Sequence, residues 1–410
     1  MRIISVFSLR AQLCKAIFSF PFIHPQNRDN NMNGSSNKAV TSFYAAPVAI
    51  CLLSIIFLLP GQAFPDPAPA VEIGEVATFD EPWAMAFLPD GRLLVTEKPG
   101  ALQLVASDGG KTAITGLPEV AYGGQGGLAD VALHPEFPVN QLVYLSYAES
   151  GEGGRGAAVA RARLNFDETG GSLSEWQVLW RQQPKVQGRG HYGQRITFGP
   201  EGYLWISSGE RQKFDPSQDM NANLGKIVRL NADGSIPADN PFAADGGVAA
   251  QIWSLGHRNP LGLAFDGDGQ LWTVEMGPKG GDELNLVERG SNYGYPLVSE
   301  GDHYNGRDIP DHHTRPELRP PAISWTPVIS PSSLIFYSGS AFPDWRGDAL
   351  ISGLSAQGVI RVTFEGDNVR EAQRIPMGAR IRAVAQGPDG AIWLLQDGSN
   401  GKLLRLTPAR

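Results

Sequence analysis

The run WAMAFLPDGRLLVTE, residues 83–97, places a Pro-Asp-Gly turn between two short apolar stretches, which is the sequence form of a β-hairpin. The pattern returns as RITFGPEGYLWISSGE (195–210), LGLAFDGDGQLWTVEMG (261–277) and RAVAQGPDGAIWLLQD (382–397). Two looser copies, VALHPEFPVNQLVYLSY (131–147) and SLIFYSGSAFPDWRGDALISG (333–353), fill the gaps. Six units share the chain at about 58 residues each, the size of a four-stranded propeller blade with generous loops. The expected fold is all-β: a six-bladed β-propeller of four-stranded antiparallel blades over residues 64–410. The 49 glycines and 31 prolines suit many short strands and tight turns, not long helices. Trp205, Trp272 and Trp393 hold equivalent places in three hairpins and are expected to pack between blades.

Residues 1–63 read as a leader. APVAICLLSIIFLLP (46–60) has the length of a signal-peptide apolar core, and Gly61 and Ala63 supply small residues for cleavage. Met32, followed by a short polar segment with Lys38, offers a second natural start. Export to the periplasm or the medium is expected, with no stable membrane insertion after processing. Both cysteines, Cys14 and Cys51, fall in the leader, so the remainder has neither disulfides nor thiolate chemistry. Removing the leader takes away five basic residues and one acidic residue. The 29 basic against 41 acidic residues that remain give a formal charge of −12, a surface that repels nucleic acid.

Loops from every blade meet at a propeller's axis, so residues remote in sequence can form one site. GHYGQR (190–195) sets His191 between glycines at a strand entrance, where its side chain is expected to face the channel in contact with solvent. SLGHRNPLGLAF (254–265) brings Arg258 and Asn259 to the start of another unit. GARIRAV (378–384) adds Arg380 and Arg382, alternate strand residues that share a face. Three arginines converging on one channel imply an anionic ligand with several carboxylates or phosphates. EMGPKGGDELNLVERGSNYGYP (275–296) contributes Asp282, Glu283 and a Gly-Pro pair with uncommitted carbonyls, donors that suit a hard cation such as Ca²⁺. GGQGGL around Gln125 opens no helix in a βαβ unit and is no nucleotide loop, and DGDGQLWTVEMG lacks the EF-hand's final glutamate.

With GGQGGLADVALHPEF, GHYGQRITF, SSGER, LGKIVRLNADGSIPADNPF, LGHRNPLGLAF, EMGPKGGDELNL, GSNYGYP and RIRAV in order from Trp83 onward, the chain resembles the glucose/sorbosone dehydrogenase family, in particular its soluble aldose sugar dehydrogenases. The resemblance implies pyrroloquinoline quinone and Ca²⁺ as cofactors, an aldose as substrate, and an external electron acceptor. It also implies site residues. His191 matches the catalytic base, Glu210 the acid that orients it, and Gln125, Arg258, Asn259, Arg380 and Arg382 the lining of the quinone and substrate site. The main-chain oxygens of Gly277 and Pro278 match those holding the catalytic Ca²⁺, and Glu283 and Tyr293 match a second, structural calcium site. On this reading His191 takes the anomeric hydroxyl proton while the C1 hydride passes to the quinone, giving a lactone.

The chain departs from the glucose-oxidising branch at Gly190, where that branch has Asp, and at LSAQG (354–358), where it has a cofactor-contacting lysine. Two other classes stay open: a calcium-dependent propeller lactonase, whose centre would want carboxylates and amides instead of arginines, and a glycan-binding propeller, which needs neither base nor cofactor cradle. The protein is expected to be a monomer or homodimer. SEGDHYNGRDIPDHHTRPELRPP (299–321) is expected to be a loop over the channel mouth, with His312 and His313 exposed on it. N-terminal sequencing of exported material is expected to read from near Phe64; a retained leader would overturn the export reading.

Overall fold

The computed structural model describes residues 70–167, 170–366 and 368–409; the expected leader, residues 1–63, lies outside them. The chain is all-β, and the one α-helix among the described residues is the four-residue Phe137–Asn140. Each expected hairpin forms. Pro82–Phe87 pairs with Leu93–Glu97, Gly193–Phe198 with Leu204–Ser208, Pro260–Phe265 with Leu271–Glu275, and Ile381–Gln386 with Ile392–Gln396, all antiparallel. The two looser copies form as well. Phe137–Asn140 is inserted in the connection between Leu128–Leu133 and Leu142–Gly151, and a 3₁₀ turn, Pro343–Trp345, in that between Pro331–Phe336 and Ala349–Gly353.

Two further strands extend each of these hairpins. Four of the units are separate four-stranded sheets, while the first two are joined into an eight-stranded sheet by parallel pairing of Lys111–Thr115 with Gly171–Arg181. In the last unit the fourth strand is Val71–Asp80, paired with Ser399–Pro408, so the two ends of the described chain share one sheet. The leading strands of consecutive units are neighbours, and Ile381–Gln386 in turn neighbours Pro82–Phe87.

The tryptophans pack between units as expected, each against the phenylalanine that ends the next unit's leading strand. Ring centroids are 5.8 Å apart for Trp205 and Phe265, 6.2 Å for Trp272 and Phe336, and 5.5 Å for Trp393 and Phe87. Edge-on and tilted rings at this spacing bury large apolar area between otherwise separate sheets.

A second regularity sits at the opposite end of the leading strands. All six break register with their partner within the first few residues, and the ladder skips Trp83, Asp130, Arg195, Leu261, Ser332 and Arg382. Such bulges turn a side chain out of the sheet's own alternation, and here they turn toward one another. The Arg195 guanidinium donates to Asp130 Oδ1 (3.0 Å), the Leu261 carbonyl (2.9 Å) and the Ser332 carbonyl (2.7 Å), and lies 4.1 Å from the Trp83 ring centre. Arg382 reaches the same place by donating to Ser332 Oγ at 3.1 Å.

Because Arg195 and Asp130 are both buried, removing one leaves the other an uncompensated charge, which costs about 3–5 kcal/mol. Arg195→Met is expected to lower unfolding stability by about that amount, read as a fall in urea midpoint with unchanged slope. Arg195→Met with Asp130→Leu is expected to recover part of the loss; a single variant with the parent midpoint would show that the hub is dispensable.

Candidate active site

Above the Arg195 hub lies a cavity of about 430 Å³ whose wall takes at least one residue from every unit, among them Trp83, Gln125, Gln194, Leu261, Ser330 and Arg382. Neither His191 nor Glu210 lines this cavity; the residues next to His191, Tyr192 to Gln194, do, and His191 and Glu210 are brought together by the ends of two paired strands, Gly193–Phe198 and Leu204–Ser208. The approach requires glycine at position 209, where a Cβ would collide with the His191 carbonyl. His191 itself has φ 49°, and Gln194, Arg211, Gln212 and Phe214 also have positive φ. A cluster of strained non-glycine residues of this kind persists only where its surroundings over-determine it, as at functional sites.

Glu210 is fully buried and bonds His191 Nδ1; its other oxygen accepts the main-chain N–H groups of Lys213 and Phe214, the latter at 2.8 Å. Burial alone would raise its pKa, but the His191 bond and these donors hold the carboxyl below the ordinary value. His191 is only 7% exposed, which corrects the expectation of a solvent-exposed base. Burial pushes its imidazole below the ordinary value, with the positive charges of Arg258 and Arg211 acting the same way and Glu210 opposing. The shift favours the neutral ring. With Nδ1–H directed at the carboxylate, Nε2 is free to accept a proton. Gln125 holds the backbone here, its Oε1 accepting the His191 N–H at 2.7 Å.

Arg380 and Arg382 share a face, as expected, and grip one carboxylate: Arg380 Nε donates to Asp397 Oδ2 at 2.8 Å and Arg382 Nε to Oδ1 at 2.9 Å. Arg258 is not with them on the cavity wall. It lines a separate space of about 10 Å³ with Gly277, Pro278, Glu283 and Tyr293, and Met276 borders both spaces. Arg258 donates its N–H to Glu275 (2.7 Å) and Nη1 to the Met276 carbonyl (2.8 Å), while its buried Nε has no partner. Asn259 is buried with Oδ1 accepting from Gly193 N–H at 3.2 Å and Nδ2 unpartnered, and Gln194 Nε2 is likewise a buried donor without an acceptor. Of these orphaned donors only Gln194 lines the large cavity; together with Arg380 and Arg382 it fits an anionic ligand rich in carbonyl and carboxylate oxygens.

The small space has the volume of about one ion or water, and its donors are oxygens. Asn285 Nδ2 is shared between Glu275 Oε1 and Glu283 Oε2, both at 3.0 Å, and Asn285 Oδ1 is buried without a donor. Burial and the charge of Glu275 push the Glu283 carboxyl well up. That electrostatic surplus fits a hard cation, although the described residues contain no group of three or more His, Asp or Glu side chains able to hold one. Carbonyl and amide oxygens would have to complete the set. Tyr293 offers little: its hydroxyl bonds the Leu286 carbonyl and Glu288 N–H, and its carbonyl pairs with His312 Nε2 at 3.0 Å. His312 is thus buried, contrary to the expected exposed pair, while His313 is exposed. The His312 imidazole turns inward to Glu300 Oε1 (3.1 Å) and the Tyr293 carbonyl.

Sequence reasoning missed Asp397, and also Glu81 and Lys98, which form a 2.6 Å ion pair on the cavity wall. The signal for Asp397 was in the repeat: Glu97 and Glu275 each end a hairpin's second strand, Asp397 stands one place beyond such an end and Glu210 two. His257 was seen but given no role; it bonds Glu275 and Ser254, both at 2.9 Å, a second buried His–Glu pair.

Comparison with known proteins places these features among relatives. The model of the Glucose / Sorbosone dehydrogenase family matches residues 79–405. Aldose sugar dehydrogenase YliI of Escherichia coli (strain K12) is 39% identical over 377 residues, covering 90% of this chain and 98% of that protein. The crystal structure of the soluble aldose sugar dehydrogenase from Escherichia coli in its apo-form aligns with TM-score 0.78 at 38% identity, over 83% of this chain and all of that one. The PQQ-bound aldose sugar dehydrogenase of Streptomyces coelicolor aligns with TM-score 0.69 at 28% identity, over 84% of this chain and 99% of that one.

Since the Glu210 carboxylate stabilises the protonated imidazole, Glu210→Gln is expected to move the His191 midpoint further below the parent value. Histidine ring resonances titrated by NMR in cofactor-free protein, with His191→Asn assigning the peak, would show it. A midpoint that stays or rises would mean that the pair is not electrostatically coupled.

Proposed function

The chain belongs to the glucose/sorbosone dehydrogenase family, and we propose that it oxidises the anomeric C1 hydroxyl of aldoses to lactones with pyrroloquinoline quinone as electron acceptor. It is an enzyme of the aldose sugar dehydrogenase type. The observation that carries the reading is the buried His191–Glu210 pair beside a polar cavity lined by Arg380 and Arg382.

Bound at that cavity, pyrroloquinoline quinone would take the C1 hydride, with Ca²⁺ polarising it. The protein's own part is to bind, orient and move one proton. Arg380, Arg382 and the orphaned amides of Gln194 and Asn259 supply donors for quinone carboxylates and carbonyls. Gly277, Pro278 and Glu283 would supply oxygens to Ca²⁺, with Arg258 beside them. Neutral His191 accepts the hydroxyl proton at Nε2, and Glu210 steadies the charge that forms on the ring. Electrons leave afterwards to an external acceptor.

The same proposal takes the fold as a six-bladed β-propeller. Its supports are six hairpin-led units, cyclic neighbour relations of the leading strands, and a final sheet completed by Val71–Asp80. It also takes the enzyme to be exported. No helix among the described residues is long and apolar enough to cross a membrane.

Adding the quinone and Ca²⁺ to cofactor-free protein is expected to give aldose-dependent reduction of a redox dye, and none without the quinone. His191→Asn, saturated with both, is expected to lose at least about a hundredfold in the rate of quinone reduction, the usual worth of a general base. Because only the neutral ring accepts a proton, the parent rate should fall as pH drops, with a midpoint below the ordinary imidazole value of about 6.5. A His191→Asn rate within a few-fold of the parent would rule out this mechanism.

A further inference from the structure

Arg211, the residue after Glu210, is the largest side chain among the described residues to be completely buried. Its guanidinium bonds no carboxylate. Nε donates to the Gly190 carbonyl at 2.9 Å, Nη2 to the Gly188 carbonyl at 2.9 Å and Nη1 to the Arg155 carbonyl at 2.5 Å. The fork lies flat on the Tyr192 ring, 3.6 Å from its centre, and the Arg211 N–H donates to the His191 carbonyl at 3.0 Å. One residue thus holds positions 188, 190, 191 and 192, the whole segment that presents the imidazole.

We propose that Arg211 is a positioning residue for His191, fixing through four successive backbone and ring contacts the direction in which the imidazole faces the substrate. The inference rests on the reading of His191 as the base. Local preference does not keep His191 at φ 49° or Arg211 at φ 62°, so something must hold them. Burying a guanidinium with carbonyl acceptors alone is unfavourable and unnecessary for a loop that only has to close. The planar fork matches three carbonyls at once, which an ammonium cannot do. Misplacement of a reacting group by about 1 Å costs about a hundredfold in rate, so the grip bears on turnover more than on binding.

The test compares parent, Arg211→Lys and Arg211→Met, each loaded with quinone and Ca²⁺, with turnover expressed per bound quinone. Arg211→Lys keeps the charge and loses the fork. Its kcat is expected to fall roughly ten- to a hundredfold, with KM for the aldose within about twofold and the pH midpoint of kcat unmoved. Arg211→Met is expected to show the same loss. In addition its His191 midpoint, read by NMR in cofactor-free protein, should move up, because one of the two positive charges facing the ring, Arg211 and Arg258, is gone while Glu210 stays. Should Arg211→Met not fold, Arg211→Lys carries the test alone. Parent turnover per bound quinone in Arg211→Lys, or a loss accounted for entirely by unfolded protein, would assign Arg211 a purely structural role. If His191→Asn is inactive and Arg211→Lys is not, only this inference fails; if His191→Asn itself turns over normally, the base assignment fails and takes the inference with it.

Discussion

The Arg195 guanidinium is buried where the leading strands of all six units converge, and it must be neutralised and hydrogen-bonded there or the fold cannot bear it. Asp130 supplies the charge, Leu261 and Ser332 supply carbonyls, and Trp83 supplies a ring face. Each comes from a different unit and each sits at the bulge of its strand. The demand of one cation for correctly placed partners therefore sets the mutual arrangement of leading strands that share no ladder with one another. At the other end of the same strands, Trp205, Trp272 and Trp393 meet phenylalanines of the next unit and exclude water. Polar hub and aromatic seams together leave the space above Arg195 open, and that space is the cavity.

Around the cavity the chain does what a foldable sequence ordinarily avoids. Non-glycine residues take positive φ at His191, Gln194, Arg211, Gln212 and Phe214, and donors of Gln194, Arg258 and Asn259 are buried without acceptors. Glu275 and Glu283 share one amide donor. Each departure has a local cost of about 1–3 kcal/mol, met by a rigid surround that buries it. Read together they describe a site short of an anion on one side and of a cation on the other. This is the complementarity that the proposed function requires, in which the chain would receive an anionic quinone beside a divalent metal ion.

Periodicity and turn chemistry are local, so the hairpins, their number and the inter-unit tryptophans were legible in residues 83–97 and their copies. The common face of Arg380 and Arg382 was legible too, because strand alternation carries it, whereas the partnership of His191 with Glu210 was implied only by the family resemblance. The recurrence of an acid at or just beyond the second-strand end of four of the six hairpins held a further signal, unused, that led to Asp397. The eight-stranded merger through Lys111–Thr115 and Gly171–Arg181 left no such trace, since parallel edge pairing depends on where two sheets come to lie.

By itself the sequence determined the all-β class, the hairpin-led units and the residue types that gather at the axis, because these follow from alternation, Gly-Pro punctuation and side-chain chemistry. Only the tertiary structure decided that Arg258 leaves the other two arginines for the smaller space, that His191 is buried with a lowered pKa, and that His312 lies inside. The reason is physical. Desolvation and the choice of hydrogen-bond partner depend on what surrounds a group from all sides, and for these side chains the surroundings come from units tens or hundreds of residues away along the chain.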